Sequence, residues 1–133
     1  MKQMILAAAM AAVLSGPVQA NEAAITGTIE SQIEALKADD FATAFTYASP
    51  AIRMLFGTVE RFGMMVRNGY PMVWRPDTVR YLELRDENGQ QVQRVQITDG
   101  AGQVHLLDYY MIETGAGWQI NGVQLLQSSG VGV

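Results

Sequence analysis

The sequence predicts an α+β domain in which N-terminal helices cover a curved, four-stranded antiparallel meander. Three observations carry that prediction. Four stretches between Thr78 and Gln127 alternate apolar and polar residues, the mark of strands with one solvated face. Glycine-bearing turns join them: Asn88-Gly89, Asp99-Gly100-Ala101-Gly102 and Thr114-Gly115-Ala116-Gly117. Upstream, apolar residues recur at helical spacing between capping residues and prolines.

The first residues read as a targeting segment. Met1 and Lys2 make a short positive start, Met4 to Leu14 is almost wholly apolar, and Ser15-Gly16-Pro17 breaks the run before Val18-Gln19-Ala20. This is the pattern of a cleaved signal peptide over residues 1–20, and it implies a periplasmic or secreted protein. The apolar run is too short to cross a bilayer as a mature helix, and no cysteine follows it for lipid attachment, so no stable membrane anchor is expected in the mature form. Residues 21–127 then form one domain, followed by a loose, glycine-rich tail over 128–133. The formal charge of −4 argues against a nucleic-acid partner, because phosphate binding relies on clustered Lys and Arg. With no cysteine, disulfides and thiolate metal sites are excluded.

The first helix of the domain is expected from about Glu22 to Ala38, with Ile25, Ile29, Ile33 and Leu36 on its apolar stripe. Asp39-Asp40 ends it and caps the next helix, where Phe41, Ala44, Phe45 and Ala48 face inward. Ser49-Pro50 starts a short helix reaching about Phe56. Thr58 caps Val59 to Asn68, with Phe62, Met65 and Val66 apolar and Gly69 in the left-handed position after its end. Tyr70-Pro71 and Arg75-Pro76 bracket Met72-Val73-Trp74, which reads as an extended connector or edge strand because residues before proline avoid the helical region.

The strands are expected near Thr78–Asp86, Gln91–Thr98, Gln103–Glu113 and Trp118–Leu126. Two- and four-residue hairpin loops preserve the same pairing parity. On that parity Leu82, Leu84, Val95, Ile97, Val104, Leu106, Tyr110, Ile112, Val123 and Leu125 share the face toward the helices. Leu107, Tyr109, Met111, Trp118 and Ile120 fall on the other face, an apolar patch large enough to suggest a homodimer packed sheet against sheet.

On the same parity Asp108 looks inward, with Gln93 opposite it and Tyr110 and Asn121 one step along. A carboxylate on an apolar face must be paired, or its pKa rises. Gln93, Tyr110 or Arg53 would satisfy it structurally; alternatively Gln93, Asp108, Tyr110 and Asn121 floor a ligand pocket. The arginines of the middle of the chain are interspersed with acidic residues, which reads first as a solvated surface, and Tyr70 and Trp74 read first as core packing. Alternatively Arg53, Arg75 or Arg80 would offer an anion site at the pocket mouth, with Tyr70 and Trp74 as an aromatic lip.

The order of Asp39-Asp40-Phe41, Ala44-Phe45, Ser49-Pro50 and Gly117-Trp118-Gln119-Ile120 resembles the nuclear transport factor 2-like superfamily. More narrowly, Ala48-Ser49-Pro50-Ala51-Ile52-Arg53, Phe56, Phe62, Met65-Val66, Tyr70-Pro71 and Gly117-Trp118 resemble a bacterial exported family catalogued as domain of unknown function 4864. The superfamily resemblance implies a sheet wrapped over helices, a conical cavity between them and frequent dimers. It hosts isomerases, dehydratases and binding proteins, so it assigns no activity.

Other chemistry finds little footing. His105 is the only histidine, too few ligands for a metal, and no cofactor is implied. No nucleophile elbow, dinucleotide fingerprint or phosphate loop is present. The expectation is an exported, non-catalytic domain that binds a small molecule or a cell-envelope protein. The alternative is a cavity enzyme of isomerase or dehydratase type, with Asp108 as proton-transfer base and Tyr110 as hydrogen-bond donor.

Overall fold

The computed structural model describes residues 17–128. The expected signal segment up to residue 16, and the expected tail beyond Ser128, lie outside the described residues. Among the described residues five helices precede the strands: α1 Pro17–Lys37, α2 Phe41–Thr46, α3 Pro50–Phe56, α4 Val59–Gly69 and α5 Pro71–Trp74. The strands are β1 Pro76–Glu87, β2 Gln90–Asp99, β3 Val104–Thr114 and β4 Gly117–Ser128, antiparallel in the order β1-β2-β3-β4. The architecture is therefore α+β, helices followed by a meander.

The helical stripe of α1 is its core face. Ile25, Ile29, Ile33 and Leu36 are buried, and each such side chain contributes ~1.5–3 kcal/mol of hydrophobic stabilisation. The helix starts follow their caps. Asp40 accepts from the Thr43 amide at 3.1 Å, Ser49 from Ile52 at 3.2 Å and Thr58 from Arg61 at 3.1 Å. Ser49 does more than cap: its hydroxyl also donates to Asn121 Oδ1 at 2.7 Å on β4. Beside it, the Ser49 amide donates to Ile120 O and the Ile120 amide to Tyr47 O, both at 2.8 Å, which covers part of the free edge of β4. Ser49→Ala removes the cap and the tie together. It should cost ~1–2 kcal/mol in urea melts, and a loss below ~0.5 kcal/mol would mean that the backbone pairing alone holds this corner.

Two helix-end expectations are corrected. Met72-Val73-Trp74 is not extended. Pro71 occupies the first turn of α5, where its fixed φ suits a helix and its missing N–H costs nothing, and only Tyr70 before it leaves the helical region. Gly69 is the last residue of α4 and is not left-handed; the helix closes through the Tyr70 amide on Val66 O at 2.9 Å.

The larger correction concerns the sheet faces. Asn88 and Gly89 have φ of 56° and 88°, the two-residue hairpin turn expected between Glu87 and Gln90. The next turn has three residues. Gly102 is left-handed with φ 85°, and Asp99 Oδ1 accepts from the amides of Ala101 at 3.0 Å and Gln103 at 2.9 Å. An odd loop shifts the register by one, so β3 presents its other set of side chains to the helices. Arg94, not Gln93, lies opposite Asp108, and Val95 lies opposite Leu107.

Two bulges complete the correction. In β1 the register shifts between Tyr81 and Leu84, bringing Val79 and Tyr81 onto the core face with Leu84. In β4 it shifts between the partners of Tyr110 and Met111, placing Val123 on the same face as Ile120. The helices therefore pack on Val95, Ile97, Leu107, Tyr109, Met111 and Ile120, all buried. Leu106, Asp108, Tyr110 and Ile112, expected inward, alternate with these residues and lie on the outer face. The apolar patch that suggested sheet-to-sheet dimerisation is turned toward the helices.

Candidate functional site

The residues expected at a site are scattered. Asp108 is 1 % exposed, yet it is on the outer face, held by Arg94 of the adjacent β2 and Arg85 of β1 beyond it. Arg85 donates to Oδ2 at 2.7 Å and to Oδ1 at 3.3 Å; Arg94 donates to Oδ1 at 2.9 Å and to Oδ2 at 3.1 Å. Burial would raise this carboxyl, but the hydrogen bonds from Arg94 and Arg85 outweigh it and hold it below the usual range. Both oxygens are engaged by cations, so the group is an ionised clamp across β1, β2 and β3. Tyr110 is on the same outer face, its hydroxyl donating to Gln124 Oε1 at 3.0 Å.

The other candidates hold the backbone. Gln93 is buried, and its Nε2 donates to Leu82 O at 3.0 Å beside the β1 bulge and to Arg94 O at 2.9 Å. Asn121 accepts from Ser49, as above. Arg53 Nη1 donates to Ala48 O at 2.6 Å and Thr46 O at 3.3 Å. Trp74 Nε1 donates to Asp39 Oδ1 at 2.9 Å, and the Arg75 guanidinium lies 4.4 Å from the Trp74 ring centroid while donating to the same carboxylate. Arg80 is exposed on the far face of β1. Of the three arginines weighed for an anion site, Arg53 and Arg75 are thus already engaged, and Arg80 stands on β1.

Tyr70 alone of the sequence-predicted residues lines the apolar cavity under the sheet. This space, about 270 Å³, lies between the sheet and the short helices. Leu36 of α1 bounds it on one side, Ile52, Leu55 and Phe56 of α3 and Phe62, Met65 and Val66 of α4 on others. Tyr109, Ile120 and Val123 provide the sheet wall. Leu55 is 72 % exposed, so the cavity opens to solvent past α3, a helix with no buried residue of its own.

Among the described residues no charged side chain lines it. Tyr70 donates its hydroxyl to Val123 O at 2.9 Å, and Gln32 donates Nε2 to Ala44 O at 3.2 Å. Tyr109 differs. It is fully buried at the centre of the sheet, and its hydroxyl has no hydrogen-bond partner among the described residues. Burial pushes its pKa well above the tyrosine value, with the nearby Tyr81 and Tyr70 adding to the shift, so it stays protonated. The apolar wall can hold an apolar body.

The parity argument placed Tyr109 on the outer face, so it was missed. The signal that would have found it is Asp99-Gly100-Ala101-Gly102, where an Asp able to accept amides across the turn and a glycine three residues on fit a three-residue loop.

The sequence model of a domain of unknown function (DUF4864) matches residues 18–133. No curated protein and no solved structure matches the chain.

Proposed function

The chain belongs to the DUF4864 family of domains of unknown function, and from that premise we propose that it is an exported binding protein for a small, largely apolar molecule, acting without turnover. One observation carries the reading: an apolar cavity of about 270 Å³ that opens at α3 and has no charged side chain in its wall among the described residues. The volume is close to the lower end of the ~300–1,000 Å³ common for small-molecule sites. Helices followed by a meander, with the cavity between them, fit the nuclear transport factor 2-like plan. The apolar run from Met4 to Leu14 supports export to the periplasm or beyond. The proton-transfer alternative has weaker support, because Asp108 is clamped as an ion on the side of the sheet away from the cavity.

The test uses N-phenyl-1-naphthylamine, an uncharged probe that fluoresces in apolar surroundings. It should bind saturably at one site. Ala48→Leu, which adds bulk to the cavity wall, and Leu55→Trp, which adds bulk at its mouth, should each weaken binding by tenfold or more, ~1.4 kcal/mol. Because Leu55 is exposed, that variant leaves the core intact. Affinity unchanged in both would overturn the reading.

A further inference from the structure

We infer that α3 is the gate of the cavity: it swings outward from its fixed N-terminal end to admit a ligand and shuts over it. The inference rests on the binding reading above and adds how that site is entered.

The inner wall is closed as it stands. Leu36 and Tyr109 line the cavity with no exposed surface, and Phe62, Val66 and Ile120 are 3 %, 4 % and 4 % exposed. An apolar body reaches these side chains only if an element of the wall moves aside. α3 is the element that can. Each of the other four helices buries side chains, such as Ile25 of α1, Ala44 of α2, Phe62 of α4 and Met72 of α5, whereas α3 buries none. Elements that bury the least apolar surface open at the lowest free energy.

The attachments of α3 are also lopsided. Hydrogen bonds to its surroundings gather at its start: the Ser49 amide and hydroxyl on β4, and Arg53 reaching back to Ala48 O at 2.6 Å. From Met54 to Gly57 no hydrogen bond leaves the segment among the described residues; the Gly57 amide closes on Arg53 O within it. Gly57 has φ 81° and ψ −41°, a conformation open to glycine, and a Cβ there would meet nothing nearer than Arg61 Nη1 at 4.0 Å. This joint can absorb the dihedral change of a hinge. The free end is latched by a ring contact, Phe56 edge-on to Phe62 with centroids 6.2 Å apart. A ligand in the cavity touches Ile52, Leu55 and Phe56 only when α3 is shut, so binding favours the shut form.

The chain has no cysteine, so nitroxide labels can be placed at chosen positions without competing thiols. Electron–electron double resonance then compares two doubly labelled proteins. Met54→Cys with Arg80→Cys measures α3 against β1, and Met64→Cys with Arg80→Cys measures α4 against the same strand; all three positions are exposed. Without ligand, the α3 distance distribution should be about twofold broader than that of α4, and saturating N-phenyl-1-naphthylamine should narrow it to the α4 width. An α3 distribution as narrow as that of α4 without the probe, or one that the bound probe leaves unchanged, would overturn the gate and leave the binding reading in place. Failure of the probe itself to bind the parent protein would overturn both.

Discussion

Asp108→Ala should lower the unfolding free energy by ~2–3 kcal/mol, although the residue is on the outer face of the sheet. Breaking a buried ion pair from one side costs ~3–5 kcal/mol, because the surviving charge is left without its partner. Here the survivors are Arg85 and Arg94, whose side chains are 30 % and 28 % exposed, so water recovers part of that cost. The residual arginines also repel each other across the vacated carboxylate. Replacing all three by apolar residues should recover much of the loss, since the intact cluster already offsets a large desolvation penalty.

Linkage makes the same clamp visible in pH. The folded-state pKa of Asp108 is depressed below 3.8, so its contribution is complete above that value and is lost as pH falls through the lower, folded value. The urea midpoint of the parent should fall more steeply below pH 4 than that of Asp108→Ala. Asp39, Asp40 and Asp99 are also held below their usual value and leave the variant a residual slope. Equal acid slopes would mean the clamp contributes nothing. N-phenyl-1-naphthylamine affinity of the folded variant should stay within twofold of the parent's, whereas a cavity base at Asp108 would predict a change in ligand handling.

Leu107→Ala should cost ~3–4 kcal/mol, within the range for truncating a buried leucine in a packed core. Leu106→Ala, one residue away on the same strand, should cost ~1 kcal/mol or less, because Leu106 lies on the outer face and is only partly buried. The pair reads out which face of β3 meets the helices. Simple alternation across a four-residue loop gives the opposite order, so a costlier Leu106→Ala would restore it.

Local chemistry made much of the fold legible. Asp40, Ser49 and Thr58 announce three helix starts, the isoleucines of α1 announce its buried face, and Asn88-Gly89 fixes the first hairpin. Loop length after β2 was ambiguous, because Asp99-Gly100-Ala101-Gly102 is compatible with two, three or four residues; the Asp99 side chain selects three. The bulges have no local mark at all. Their tertiary partners define them, Gln93 capping the carbonyls in β1 and Ser49 tying Asn121 in β4. One parity step at Gly100–Gly102 moved Asp108 out of the candidate site and Tyr109 into it. The unpartnered state of that hydroxyl depends on what surrounds it in three dimensions, which no spacing in the chain encodes.

The most direct test of the binding account is isotope-edited NOE spectroscopy on the N-phenyl-1-naphthylamine complex. Contacts from the aromatic protons of the probe to the methyl groups of Val66, Val73, Ile120 and Val123 are the predicted result. Contacts confined to Leu106 and Ile112 on the outer face, or to no methyl group of the cavity wall, would contradict it.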